Sequence, residues 1–152
     1  MKRAILALAL LAAIAIPTTA IGAAKRTFHV RLTGAKEVPK NTSHATGTAR
    51  FTISRSGKSI RYRLTAHGLH GTPTAAHIHL GSRTKAGGIL IALKLRPFHL
   101  PASGVVTKKS FTPEGNVKTF AQAIRAIRAG RTYVNIHTTK FPGGEIRAQI
   151  PR

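Results

Sequence analysis

The sequence predicts an all-β fold, an antiparallel sandwich or barrel of about eight short strands with one short amphipathic helix near residues 117–129. Three observations lead there. Apolar and polar residues alternate with period two in run after run, which places one apolar face on each strand. Clusters of Gly, Pro, Ser and Asn punctuate those runs, as turns require. A single segment, late in the chain, switches to three- and four-residue spacing.

Phe28, Val30 and Leu32 alternate with His29, Arg31 and Thr33, a first strand that Gly34 to Pro39 breaks. Thr46 to Ser54 and Ile60 to Thr65 flank the Ser56-Gly57-Lys58 turn and predict a hairpin. Its Arg50, Arg61 and Arg63 read as a solvated face. Thr74 to Leu80 is a strand with Ala76, Ile78 and Leu80 on one side and Ala75, His77 and His79 on the other. Ile89 to Leu95 is nearly all apolar, the pattern of a strand covered on both faces. Val105 to Phe111 predicts one more strand. Val117, Phe120, Ile124 and Ile127 mark the helix, Val117 to Ala129, with Asn116 as its cap and Gly130 as its stop.

The last and most informative stretch is a hairpin. Val134 and Ile136 face away from Tyr133, Asn135 and His137, and beyond a Pro142-Gly143-Gly144 turn Ile146, Ala148 and Ile150 face away from Glu145, Arg147 and Gln149. One face of this hairpin is apolar, and any chemistry belongs to the other.

The first residues stand apart. Lys2 and Arg3 precede an unbroken apolar run from Ala4 to Ile16, then Pro17 and small residues that allow cleavage after residue 20, 23 or 24. This is the pattern of a secretory signal peptide, residues 1–24, ahead of one domain, 25–152. The run is shorter than the roughly 20 residues of a membrane span, so no span is expected in the mature chain. Without cysteine, disulfides and thiolate metal sites are excluded. Setting aside Lys2 and Arg3 leaves 23 of the 25 basic residues against three acids, a net charge of +20. Such a chain attracts anionic polymers. The basic residues are scattered singly and aromatics are few, which argues against a specific nucleic-acid site.

Three stretches together resemble the chordin-type (CHRD) domain in its bacterial, secreted, single-domain form. They are Leu32-Thr-Gly-Ala-Lys-Glu-Val-Pro39, Ala75-Ala-His-Ile-His-Leu-Gly81, and Tyr133-Val-Asn-Ile-His137 with Phe141-Pro-Gly-Gly-Glu-Ile-Arg147. Gly47-Thr48-Ala49 and Gly68-Leu69 fit as well, and Ala148 stands where the family often has Gly. The resemblance spans Phe28 to Ile150. It implies an immunoglobulin-like β-sandwich in an extracellular or cell-surface protein, and it implies no activity. The motif residues it singles out are Glu37, His77, His79, Asn135, His137, Glu145 and Arg147.

His77 and His79, two apart on one strand, project from the same face, and His137 lies on the polar face of the last hairpin. If the strands are neighbours the three converge, with Glu145 close by. The simpler expectation is a neutral, hydrogen-bonded cluster with Glu145, Arg147 and Asn135 that holds the strands in register. The alternative is a zinc or copper site on His77, His79 and His137, redox or hydrolytic in role. His77-Ile-His79 is similar to the His-x-His copper-ligand strand of copper/zinc superoxide dismutases, whose bridging His and Asp pattern is absent. Glu145 and Arg147 are the expected ion pair, and Glu37 a turn-stabilising carboxylate. His29, His44, His67, His70 and His99 read as surface or loop residues. With no Asp, no Cys nucleophile and no phosphate loop, an enzyme is not expected. The function expected is a non-catalytic binding or structural module, held at anionic cell-surface polymers or by an extracellular protein partner.

Overall fold

The computed structural model describes residues 24–95 and 97–152. The expected leader, Ala24 apart, lies outside the described residues. Eight antiparallel strands form one sheet: β1 Thr27–Thr33, β2 Thr46–Ile53, β3 Ser59–His67, β4 Pro73–Leu80, β5 Ile89–Leu95, β6 Ala102–Thr107, β7 Thr132–Thr138 and β8 Ile146–Ile150. Their order across the sheet is β5-β4-β7-β8-β1-β2-β3-β6. The sheet folds back so that its two ends meet. Thr112 N–H donates to Leu90 O, Ile91 bridges Phe111, and the Tyr62 hydroxyl of β3 donates to Leu93 O of β5. The two layers are therefore halves of one sheet, joined where Thr33 of β1 pairs with Arg147 of β8.

Alternation accounts for the core. Phe28, Leu32, Phe51, Ile53, Ile60 and Leu64 from one half meet Ala76, Ile78, Val134, Ile136 and Ile146 from the other. Burying each such side chain stabilises the fold by about 1.5–3 kcal/mol relative to leaving it in water. The helix α1, Phe120–Arg128, adds Phe120, Ala123, Ile124 and Ile127 to the same core. Among the described residues no helix is long and apolar enough to cross a membrane.

Three sequence expectations need correction. The helix starts at Phe120, not Val117, because Thr119 accepts from Gln122 N–H while the Gln122 side chain accepts from Thr119 N–H. That reciprocal box outcompetes Asn116 as a cap. Glu114 to Val117 closes instead as a tight turn, with the two residues bonded to each other in both directions. Gly130, at φ 69°, ends the helix as expected. The sixth strand runs over Ala102–Thr107, where β3 has residues to pair with, and Lys108–Ser110 turns into a 3-10 helix. Finally, β5 is an edge strand whose Ile89 and Leu95 are exposed. Its consecutive buried Leu90 and Ile91 reflect register shifts against β4, not cover on both faces.

Candidate functional site

Most of the polar side of β4, β7 and β8 is buried too, with His137 and Gln149 half-buried. His77, His79, Tyr133, Asn135 and Arg147 are each less than 8 % exposed. The segment after β1 covers it, with the Glu37 carboxylate lying against Gly144. The loop after β4 covers it too: Arg147 Nη2 donates to Ser82 O and Lys85 O, and the Tyr133 hydroxyl donates to Gly87 O.

The pairing of β4 with β7 sets His77 opposite Asn135, His79 opposite Tyr133 and Ala75 opposite His137. His137 thus lies diagonally beside His77, with His77 Nδ1 and His137 Nε2 3.2 Å apart. One ring nitrogen from each of His77, His79 and His137 lies within 4.8 Å of the other two. The pairing of β4 with β5 shifts register twice, between Ala76 and His77 and between Ile78 and His79. The extra residues, Leu93 and Leu90, lie on β5, so the bulges belong to the strand beside the histidines and not to β4 itself. His79 Nδ1–H donates to Gly87 O at 3.0 Å, and His137 Nδ1–H to Pro142 O at 2.8 Å. Each bond fixes a tautomer and leaves Nε2 with a lone pair. His77 Nε2 and His79 Nε2 are buried with no hydrogen-bond partner. Burial pushes the His77 pKa down to about 4, and the neighbouring His137 and His79 push the same way. Burial also lowers His79 and His137, against the raising effect of their backbone acceptors. The cluster is neutral at pH 7.

His79 stacks on Tyr133 with ring centroids 4.8 Å apart and planes 6° from parallel, and the Arg147 guanidinium lies 3.3 Å from the centroid of the same ring. The charge facing Arg147 is Glu37, not the expected Glu145. Burial raises Glu37 to about 7, against the lowering by Arg147 and the Val38 N–H, and its Oε1 has no hydrogen-bond partner. Glu37 and Arg147 border an open cleft of about 610 Å³ whose other walls include Lys36, Lys40 and Arg83.

Glu145 belongs to a different network from the histidines. Its Oε1 accepts from Ser43 Oγ at 2.7 Å and His70 N at 2.9 Å, and its Oε2 accepts from Thr138 Oγ1 at 2.7 Å. His70 Nδ1 adds a contact of 2.8 Å. Burial acts to raise the Glu145 pKa, but Thr138, His70 and Ser43 together outweigh it and hold the carboxyl below its usual range. Among the described residues His70–Glu145 is the only contact within 4 Å between a basic and an acidic side chain. Sequence reasoning left His70 in a loop, because nothing local marks a partner 75 positions away. It also passed over Tyr133 as a site residue, although Tyr133 shares the alternation of Asn135 and His137. Of the other histidines, His29 on β1, His67 at the end of β3, and His44 and His99 in loops are exposed as expected.

The family described as CHRD domain matches residues 28–150. No curated protein and no solved structure matches the chain. The match carries all three stretches that hold Glu37, the His-x-His strand and the last hairpin, so the chain belongs to the CHRD-domain family.

Proposed function

We propose that this CHRD module is exported and serves as a non-catalytic binding module that adheres to polyanionic polymers at a cell surface. What supports the reading is where the acids are. Glu145 and Glu37 are buried, and Glu114 is half-buried against Gly88. Almost nothing acidic is left outside to neutralise the exposed lysines and arginines. On the outer face of β1, β2 and β3 the exposed Arg50 sits between His29 and Arg63, its register partners on either side, and Arg61 pairs opposite Thr52. Like charges directly opposite one another on a sheet are destabilising, and an anionic polymer laid across them relieves the repulsion. The shallow cleft bordered by Arg50, Arg61, Arg63 and Ser103 gives such a polymer a path.

The test is retention on immobilised dextran sulfate across a salt gradient. The protein is expected to bind at about 0.05 M salt and to release as the Debye length shrinks from above 10 Å to a few ångströms near 1 M. Replacing Arg50, Arg61 and Arg63 together by Gln should lower the eluting salt concentration more than replacing Arg83, Arg125 and Arg128. Salt-independent retention, or equal shifts for the two triple variants, would sink the reading.

A further inference from the structure

We propose that His77, His79 and His137 form a three-imidazole site for a single zinc or divalent copper ion, a site independent of the polyanion face. Four observations carry it. The donors converge: a tetrahedral centre with metal–nitrogen bonds of about 2.0–2.1 Å sets its nitrogens about 3.3 Å apart. His77 Nδ1 and His137 Nε2 already stand at 3.2 Å, and a His79 nitrogen lies within 4.8 Å of both residues' donors. Metal binding would draw the His79 nitrogen in to close the remaining gap.

The outer nitrogens are anchored. His79 and His137 each give their Nδ1–H to a backbone carbonyl, of Gly87 and Pro142, the arrangement that orients metal-binding imidazoles and raises their basicity. The inner nitrogens are left over. His79 is 7 % exposed and, with its Nδ1 on Gly87 O, its Nε2 is buried without a partner, while His77 offers Nδ1. A buried unsatisfied polar atom costs about 1–3 kcal/mol, and a cluster with two of them, in which His79 and His137 each meet the His77 ring edge to face, is a poor way to hold two strands together.

The fourth observation is the donor chemistry. Among the described residues no carboxylate joins the group of donors, and Glu145, the acid of the last hairpin, spends both oxygens on Ser43, His70 and Thr138. A site of neutral nitrogens with no oxygen ligand favours zinc and copper and disfavours calcium and magnesium. The positive Arg147 beside Tyr133 is faced by Glu37, so its charge is partly offset at the site.

The experiment is calorimetric titration of the untagged protein, freed of metal by chelation, with Zn²⁺ and Cu²⁺, and with Mg²⁺ and Ca²⁺ as controls. One equivalent of Zn²⁺ or Cu²⁺ should bind with micromolar or tighter affinity and raise the melting temperature, and Mg²⁺ and Ca²⁺ should do neither. His137→Gln and His79→Gln should each weaken binding more than about 100-fold, beyond the 10–100-fold that loss of an outer-shell partner costs. His29→Gln and His99→Gln should leave it unchanged. If the buried variants fail to fold, Co²⁺ bound to the unaltered protein gives an independent reading. An intense visible d–d spectrum, from four or five ligands, supports the site, and a weak six-coordinate spectrum overturns it. Absence of binding at micromolar metal overturns it as well, as does binding that survives in His137→Gln and His79→Gln. None of these outcomes bears on dextran sulfate retention, so the two proposals stand or fall separately.

Discussion

Glu145 is wholly buried in a chain that has only two other acids, and it is used as a fastener. Its carboxylate gathers Ser43, His70 and Thr138 from three separate parts of the chain. Glu145→Ala leaves the buried Ser43 and Thr138 hydroxyls without this acceptor and should cost about 2–4 kcal/mol, read as a lowered midpoint of urea unfolding. Glu145→Gln keeps the shape and should cost less. A loss below 1 kcal/mol for Glu145→Ala would show that the network contributes little. Glu37 and His77 act on stability in opposite directions as pH changes. His77 has a folded pKa of about 4 against 6.5, so the unfolded chain takes up protons first and stability falls as pH drops from 6.5 towards 4. Glu37 has a folded pKa of about 7 against 4.5, so the folded chain keeps its proton longer and stability falls as pH rises from 4.5 towards 7. In chelator-treated protein the two trends cancel in part between pH 4.5 and 6.5. Glu37→Gln should unmask the histidine trend, giving a steeper gain in stability with rising pH than the unaltered protein shows. Superimposable profiles would rule this out.

At the level of elements, the last hairpin shows what patterning can and cannot specify. Period-two alternation alone places Tyr133, Asn135, His137 and Arg147 on one face, and that face is where the structure has them. It says nothing of what lies above. That the segment containing Glu37 folds over Gly144, and that Arg147 answers to Glu37 and not to its near neighbour Glu145, depends on contacts some 110 residues apart. The helix start is illegible for a related reason: Asn116 and Thr119 can both cap, and only the reciprocal bonds with Gln122 decide between them. Gly144 is the tightest point of the hairpin, at φ 126°, and a Cβ there would come within 2.6 Å of Glu37 Oε1 and 2.8 Å of Asn135 Nδ2. Gly144→Ala should therefore destabilise by about 2–4 kcal/mol from backbone strain and displaced Glu37 together. Gly143→Ala, which meets nothing within 4 Å, should be nearly silent in the same thermal melt. Equal effects at the two positions would remove the argument for close packing at Gly144.

The molecule as a whole places nearly all its positive charge outside and keeps its acids in. Self-repulsion of that kind favours solubility and lowers the stability of the compact state. Added sulfate should accordingly raise the melting temperature by several degrees more than chloride at equal ionic strength, by occupying the outer face and by its exclusion from apolar surface. The all-β class was legible because every strand but β5 has one wet or polar side, and the two-layer stacking followed from the apolar faces. That the layers are one sheet was not legible, since it turns on the single pairing of Thr33 with Arg147. The folding back of that sheet has a consequence for how molecules behave beside each other. An open sheet offers its outermost backbone groups to any neighbour, and crowding on a polymer would invite strand-by-strand zippering into fibres. Here the outermost strands turn towards one another, with Leu90 and Leu93 of β5 already engaged by Thr112 and Tyr62. Copies gathered along one anionic chain would then stay separate beads, able to slide apart again when salt rises.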